Sequence, residues 1–221
     1  MNTIRVWFSK TGDASYISHL DLQRVMHRAL KKSKLPVWYS KGFNPHIYLT
    51  FALPLPLGQE SICEYLDYRT EDEDPDLDRI YFSLKSSLPQ DIKIYNVTLA
   101  KRKVGDIAYA RYLITLPESR KKEVTAAIEK FNAADKAFVT KLGKSGGRKK
   151  VEKQIDLKDY IKKINFSNTA SGISMDILLP AGTVTINPAL LMGFLKDNYG
   201  LCAQAKICRT QVLCADGKIF E

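Results

Sequence analysis

Two successive runs of the same element order predict an α+β fold of two ferredoxin-like (βαββαβ-type) modules in tandem. Each run reads strand, helix, two or more strands, helix, strand. The first run covers residues 1–100 and the second residues 107–221. Two observations underlie it. Period-two alternation of apolar residues marks the strands, and three-four spacing marks the helices. A chain of 221 residues is also long enough to bury real cores without covalent staples.

In the first run, T-I-R-V-W-F-S (3–9) alternates as a strand, with Ile4, Val6 and Phe8 on one face. Ser18 is a helix N-cap with Asp21 three residues on. Leu22, Val25, Met26, Ala29 and Leu30 then form one apolar stripe, and Leu35-Pro36 stops the helix. The opposite side carries Arg24, His27, Arg28, Lys31 and Lys32. Val37-Trp38-Tyr39 reads as a short strand, Ser40 to Pro45 as a turn-rich joint, and Ile47 to Phe51 as a half-buried strand. Leu53-Pro54-Leu55-Pro56-Leu57-Gly58 is excluded from a sheet centre because two of its residues lack an amide donor. Ile62 to Arg69 alternates again. After the acidic run 71–78, with Pro75 suited to a first helical position, Leu77, Ile80, Tyr81, Leu84 and Leu88 form a second helical stripe. Ile92 to Leu99 closes the run.

Lys101 to Asp106 reads as a linker. The second run follows with strands at Tyr112–Leu116, Ala137–Lys141, Arg148–Ile155 and Ile173–Leu179, and a helix at Lys121–Phe131. Asn187-Pro188 opens another helix, Ala203 to Leu213 is the last strand or pair, and Asp216-Gly217 a hairpin turn.

Composition is that of a globular protein, 45% hydrophobic and 26% charged. No apolar run approaches the about 18 residues that span a bilayer, and the N-terminus alternates rather than forming a signal peptide. A cytoplasmic protein without a membrane partner is expected. The four cysteines have no metal-ligand spacing, so reduced, mostly buried thiols are expected in that compartment, with no metal and no cofactor. Net charge is +10. It is concentrated: residues 1–70 hold nine Lys/Arg against five Asp/Glu, and residues 101–153 fifteen against six. This favours RNA or another polyanion as partner. Lys31, Lys41 and the G-K-S-G-G-R-K-K loop, with Lys144, Arg148, Lys149 and Lys150, are candidates to track phosphates. The loop lacks the order of a Walker motif.

Residues 15–61 contain all three histidines and the densest polar joints. Ser18, His19 and Asp21 sit at a helix N-terminus, and Ser40 and His46 flank a Gly42-Phe43-Asn44 turn. If these ends coincide, Ser18, His19, Asp21, Arg24, Arg28, Ser40, Gly42, Phe43, Asn44 and His46 form a ligand site. His19 or His46 would be the candidate catalytic acid or base, with Arg24 and Arg28 holding an anion. The plainer reading assigns Ser18 and Asp21 to capping and the Gly42 segment to turn chemistry.

S-H-L-D-L-Q-R-V-M-H-R-A-L, L-P-V-W-Y-S-K-G-F-N-P-H and F-A-L-P-L-P-L-G-Q-E-S closely resemble a bacterial domain-of-unknown-function family called radical SAM-linked or radical SAM-associated. The likeness continues thinly through Gln154-Ile155-Asp156-Leu157 and Ile207-Cys208-Arg209. Its members occur alone or at the C-terminus of B12-binding-type radical SAM proteins, and the family has no settled activity. The resemblance implies a radical SAM protein as partner. This chain has no cluster cysteines, so radical chemistry of its own is not expected. By fold alone the paired modules look like CRISPR-repeat-processing endoribonucleases. The leading expectation is therefore a non-catalytic RNA-binding or substrate-presenting partner. The alternatives are a metal-independent endoribonuclease using His19 or His46, and a protein-binding adaptor.

Overall fold

Along most of the chain, alternating stretches become strands and three-four stripes become helices. The structure, a computed structural model, describes residues 1–144, 150–169 and 172–221. In chain order come β1 (Asn2–Lys10), α1 (His19–Lys32), β2 (Leu49–Phe51), β3 (Glu60–Thr70), α2 (Leu77–Lys85) and β4 (Ile92–Leu99). They are followed by β5 (Ile107–Leu116), α3 (Lys121–Ala133), β6 (Phe138–Lys144), β7 (Lys150–Asp156), β8 (Phe166–Thr169), β9 (Gly172–Pro180), α4 (Pro188–Tyr199) and β10 (Lys206–Cys214). This is a mixed α+β fold. Most strand pairs are antiparallel, while β3 and β10 run parallel. Two units are discernible: Met1–Ile107 with Cys208–Glu221, and Ala108–Ile207.

In the first unit β1 lies between β4 and β3. The far edge of β3 is shared: β2 pairs with Leu66–Tyr68, and β10 with Glu60 and Ser61. One face of this sheet, with Ile4, Val6, Phe8, Leu66 and Tyr68, packs on Leu22, Met26, Ala29 and Leu30 of α1 and on Ile80 and Leu84 of α2. Each such large apolar side chain contributes roughly 1.5–3 kcal/mol by leaving water. Helix α1 begins where Ser18 accepts the Asp21 N–H, as its sequence position requires. Helix α2 starts two residues later than its proline suggests. Asp76 is the cap, accepting the Arg79 N–H, and Pro75 precedes it.

Charge is buried in this unit too, with Arg5 on the face opposite the helices and Glu64 beside Phe8 in the strand register. Arg5 is fully buried. Its Nε and Nη2 donate to the Asp67 carboxylate at 2.8 and 2.7 Å, and Nη2 also to the Arg102 carbonyl at 2.8 Å. The Phe220 ring covers the guanidinium, 4.0 Å from Cζ. Arg209 of β10 is 1% exposed. Its Nη1 donates to Glu64 at 2.8 Å and to the Leu53 carbonyl at 2.9 Å, and its Nη2 to the Pro54 carbonyl at 3.1 Å. The proline-rich run thus serves as an acceptor for a buried cation. Lys10, also buried, donates to the Ser15 carbonyl, and burial lowers its pKa against the pull of Glu64.

In the second unit β9 lies between β5 and β8. Helices α3 and α4 meet through Phe131 and Phe194, ring centroids 5.9 Å apart. Asn187 caps α4 ahead of Pro188, and Gly200 ends it at φ +71°. Lys158 is buried and donates to the Phe131 carbonyl at 3.1 Å near the end of α3, where orphan carbonyls gather. β6 and β7 pair with each other.

Three sequence expectations change. Val37-Trp38-Tyr39 makes only isolated bridges, Val37 with Thr70 and Tyr39 with Ile47. β5 begins at Ile107 rather than Tyr112. β8, Phe-Ser-Asn-Thr, is exposed throughout and carries no alternation to read. Arg148 and Lys149, and the side chains of Lys144 and Lys150, lie outside the described residues. Among the described residues no helix is long and apolar enough to cross a membrane.

The buried Arg209–Glu64 pair gives a direct stability test. Replacing Arg209→Met leaves the Glu64 carboxylate buried without its cation, and a loss of about 3–5 kcal/mol is expected in urea unfolding. Adding Glu64→Gln should restore part of it. A loss under about 1 kcal/mol for Arg209→Met would show that water replaces the pair.

Candidate functional site

The N-terminus of α1 is satisfied largely from within. The Ser18 hydroxyl donates to Asp21 Oδ2 at 2.7 Å while accepting the Asp21 N–H at 3.1 Å. Arg24 Nη1 donates to Asp21 Oδ1 at 2.8 Å. These hydrogen bonds, first from Ser18 and then from Arg24, hold the Asp21 carboxyl below the usual range. Ser18 and Asp21 are thus explained by capping. Arg24 is still 72% exposed and available to a ligand. His19 does not stand free at the cap: its ring sits edge-on to Phe51, centroids 5.0 Å apart.

The second part is the loop Ser40–His46, closed at its neck. Ser40 N–H donates to the His46 carbonyl at 2.8 Å, and His46 N–H donates back to Ser40 Oγ at 3.1 Å. His46 Nδ1 lies 2.9 Å from Ser40 Oγ and 3.2 Å from the Asn44 carbonyl. A carbonyl can only accept, so the second contact assigns the proton to Nδ1 and leaves Nε2 as the free lone pair. Gly42, at φ +127°, takes a conformation that side chains avoid. Lys41, Gly42, Phe43 and Asn44 are all exposed, and Phe43 is wholly so, at 106% of the reference.

Loop and helix belong together. Ile47, just past the neck, is buried in the same core as Leu22, Met26 and Ala29. The half-buried His27 on α1 interacts electrostatically with His46 and Lys31. Burial first, then these two groups, lowers its pKa below 6.5. Sequence reasoning left His27 on the basic face without a role. Its signal was the helical register, with His27 and Lys31 one turn apart. The structure places His46 within electrostatic reach of His27 and packs His19 against Phe51. Arg24, Arg28 and Lys31, spaced i, i+4 and i+7, are exposed along the same helix. Among the described residues no three His, Cys, Asp or Glu side chains gather to hold a metal ion.

None of the four cysteines forms a disulfide. The sequence led us to expect mostly buried ones, but only Cys63 and Cys214 are buried; Cys208 is half-buried and Cys202 exposed. Burial, followed by the nearby Glu64, pushes the Cys63 thiol up to about 12.

Two outcomes are expected. Iodoacetamide at neutral pH should alkylate Cys202 first, and Cys63 only once the protein unfolds, as read by peptide mass. The lowered pKa of His27 means that the unfolded chain binds the proton more tightly. Its contribution to stability is therefore complete above pH 6.5 and is lost as pH falls through the folded value. Urea midpoints should drop between about pH 7.5 and 5, and less in His27→Gln. An equal drop in both proteins would remove His27 as the cause.

No curated protein matches the chain. A family model described as "Uncharacterized protein conserved in bacteria (DUF2344)" matches residues 3–188, which takes in α1, the Ser40–His46 loop and most of both units. The chain belongs to this conserved bacterial family.

Proposed function

We propose that the protein is a non-catalytic RNA-binding partner that presents its RNA to a radical SAM protein. The observation that carries the RNA reading is the surface made by α1 and the Ser40–His46 loop. There Arg24, Arg28, Lys31 and Lys41 are exposed beside a phenylalanine with no packing of its own. A cationic helix holds phosphates, and an exposed ring offers a face on which any base stacks. The order β4-β1-β3-β2, antiparallel throughout, supports a ferredoxin-like reading of the first unit. The radical SAM link rests on the sequence resemblance.

A second reading, a metal-independent endoribonuclease, is favoured by one observation. His46 is oriented by Ser40 and coupled to His27, which suits a paired acid and base. On this reading His46, rather than His19, is the catalytic histidine, with His27 as its partner.

Fluorescent single-stranded RNA, titrated at several salt concentrations, tests the proposal. The logarithm of affinity should fall with that of salt, by about 0.7 for each phosphate neutralised. Arg28→Ala should make that slope shallower. Phe43→Ala should weaken binding by about 1–3 kcal/mol without changing the slope. Intact RNA after incubation removes the nuclease. Absence of salt-sensitive binding, together with no association with a radical SAM protein, sinks the proposal. Association that survives high salt without RNA points to a protein adaptor.

A further inference from the structure

A second site lies on the sheet face opposite the helices of the first unit. Here a cleft of about 470 Å³ is lined by β1, β2, β3 and residues 100–104. That volume suits a small organic ligand, for which pockets run from about 300 to 1,000 Å³. Its floor is set by strand alternation. Thr3 on β1, Thr50 on β2, and Asp67 and Arg69 on β3 share the face on which Arg5 is buried. Its wall is the segment Lys101–Val104, which the sequence reading took for a plain linker.

That wall is fixed in place. The Arg102 carbonyl accepts from Arg5, the Arg102 side chain pairs with Asp216 at 3.0 Å, and the Arg102 N–H reaches the Glu221 carbonyl. The Lys103 N–H donates to Asp106. Clamped by its backbone and by Arg102, the segment leaves Lys101 and Lys103 exposed at the cleft.

The polar groups that converge here are short of partners. Among the described residues, the hydroxyls of Thr3 and Thr50 and the ammonium groups of Lys101 and Lys103 make no hydrogen bond or ion pair. Arg69 has only aromatic company: its Cζ lies 4.4 Å from the Tyr48 ring centroid and 5.6 Å from that of Trp38. Behind Asp67, the Nη1 of fully buried Arg5 has no partner among the described residues. Arg5 offsets the charge of Asp67 and Asp216 that of Arg102, so the uncompensated charge at the cleft is that of Arg69, Lys101 and Lys103.

We propose that this cleft binds a nucleoside monophosphate, either free or as one residue of a single strand. Lys101 and Lys103 hold the phosphate. The base stacks on the plane of the Arg69 guanidinium, which Tyr48 supports from beneath. Asp67 accepts from an amino or hydroxyl group of the nucleoside, and Thr3 and Thr50 complete its hydrogen bonds. The inference goes beyond the RNA surface on α1 and does not depend on it, because a free nucleotide suffices.

Trp38 lies 5.9 Å from Tyr48, centroid to centroid, and its fluorescence reports on the cleft. Adenosine 5′-monophosphate is titrated into the full-length protein, with adenosine and inorganic phosphate as partial ligands. Saturable quenching is expected, with the monophosphate at least about tenfold tighter than either part. Lys101→Ala/Lys103→Ala should weaken it about tenfold or more, whereas the charge-matched Lys85→Ala/Lys93→Ala should not. Thermal melts of both double variants report folding. Competition by oligoadenylate identifies a strand as the source of the ligand; binding without competition identifies a free nucleotide. No monophosphate binding by the wild type, or equal weakening in both double variants, overturns the proposal. The α1 surface is read separately, from oligonucleotide affinity in Arg28→Ala and Phe43→Ala, so either site can fail without the other.

Discussion

A guanidinium removed from water must find partners for its charge and its hydrogens, and the first unit is arranged around two of them. Arg209 reaches across 145 residues of sequence to Glu64 and takes the carbonyls of Leu53 and Pro54. Desolvating such a pair costs several kcal/mol, and it is tolerated because good geometry and extra acceptors offset that cost. The prolines of the L-P-L-P-L-G run are part of the reason acceptors are available. A segment without regular donors forms no ladder, so its carbonyls remain open to a side chain. β10 is thereby held to β3, although only Cys208 and Arg209 pair with that strand. Arg5 does the same on β1, joining Asp67, residue 102 and the ring of Phe220.

The two surfaces proposed for ligands follow from which face is already occupied. The apolar stripe of α1 is committed to the core, which turns Arg24, Arg28 and Lys31 outward. The Ser40–His46 loop is closed by hydrogen bonds at its neck and anchored by Ile47, so its tip projects without collapsing onto the helix. On the opposite face, the buried Arg5 occupies β1, between β4 and β3. Polar and aromatic side chains are left to line the cleft at its edge. Charge that is neutralised holds the fold, and charge that is not is presented to a partner.

Much of the local architecture was legible from residue order. Ser18 caps α1, the stripe from Leu22 to Leu30 is buried, and Asn187-Pro188 opens α4, because each depends on neighbours within one helical turn. The turn at Gly42, which takes φ +127°, was legible for the same reason. Legibility stopped where the partner lay elsewhere in the chain. Phe166 to Thr169 is a strand only because β9 is beside it. His27 gains interest only when the loop brings His46 near, and Lys101 to Val104 ceases to be a linker only when Arg5 clamps it.

The sequence by itself determined the helices, the caps of α1 and α4, most strands, the concentration of positive charge and the family motifs. All of these rest on periods of two or 3.6 residues, on capping chemistry or on composition, which act over short distances. Only the tertiary structure decided which polar groups are spent on the fold and which remain for a ligand. It packed His19 on Phe51, placed His46 within electrostatic reach of His27, and collected Asp67, Arg69 and two lysines around one cleft. Those assignments depend on burial and on contacts between residues far apart in sequence, and neither has a local signature for a sequence to carry.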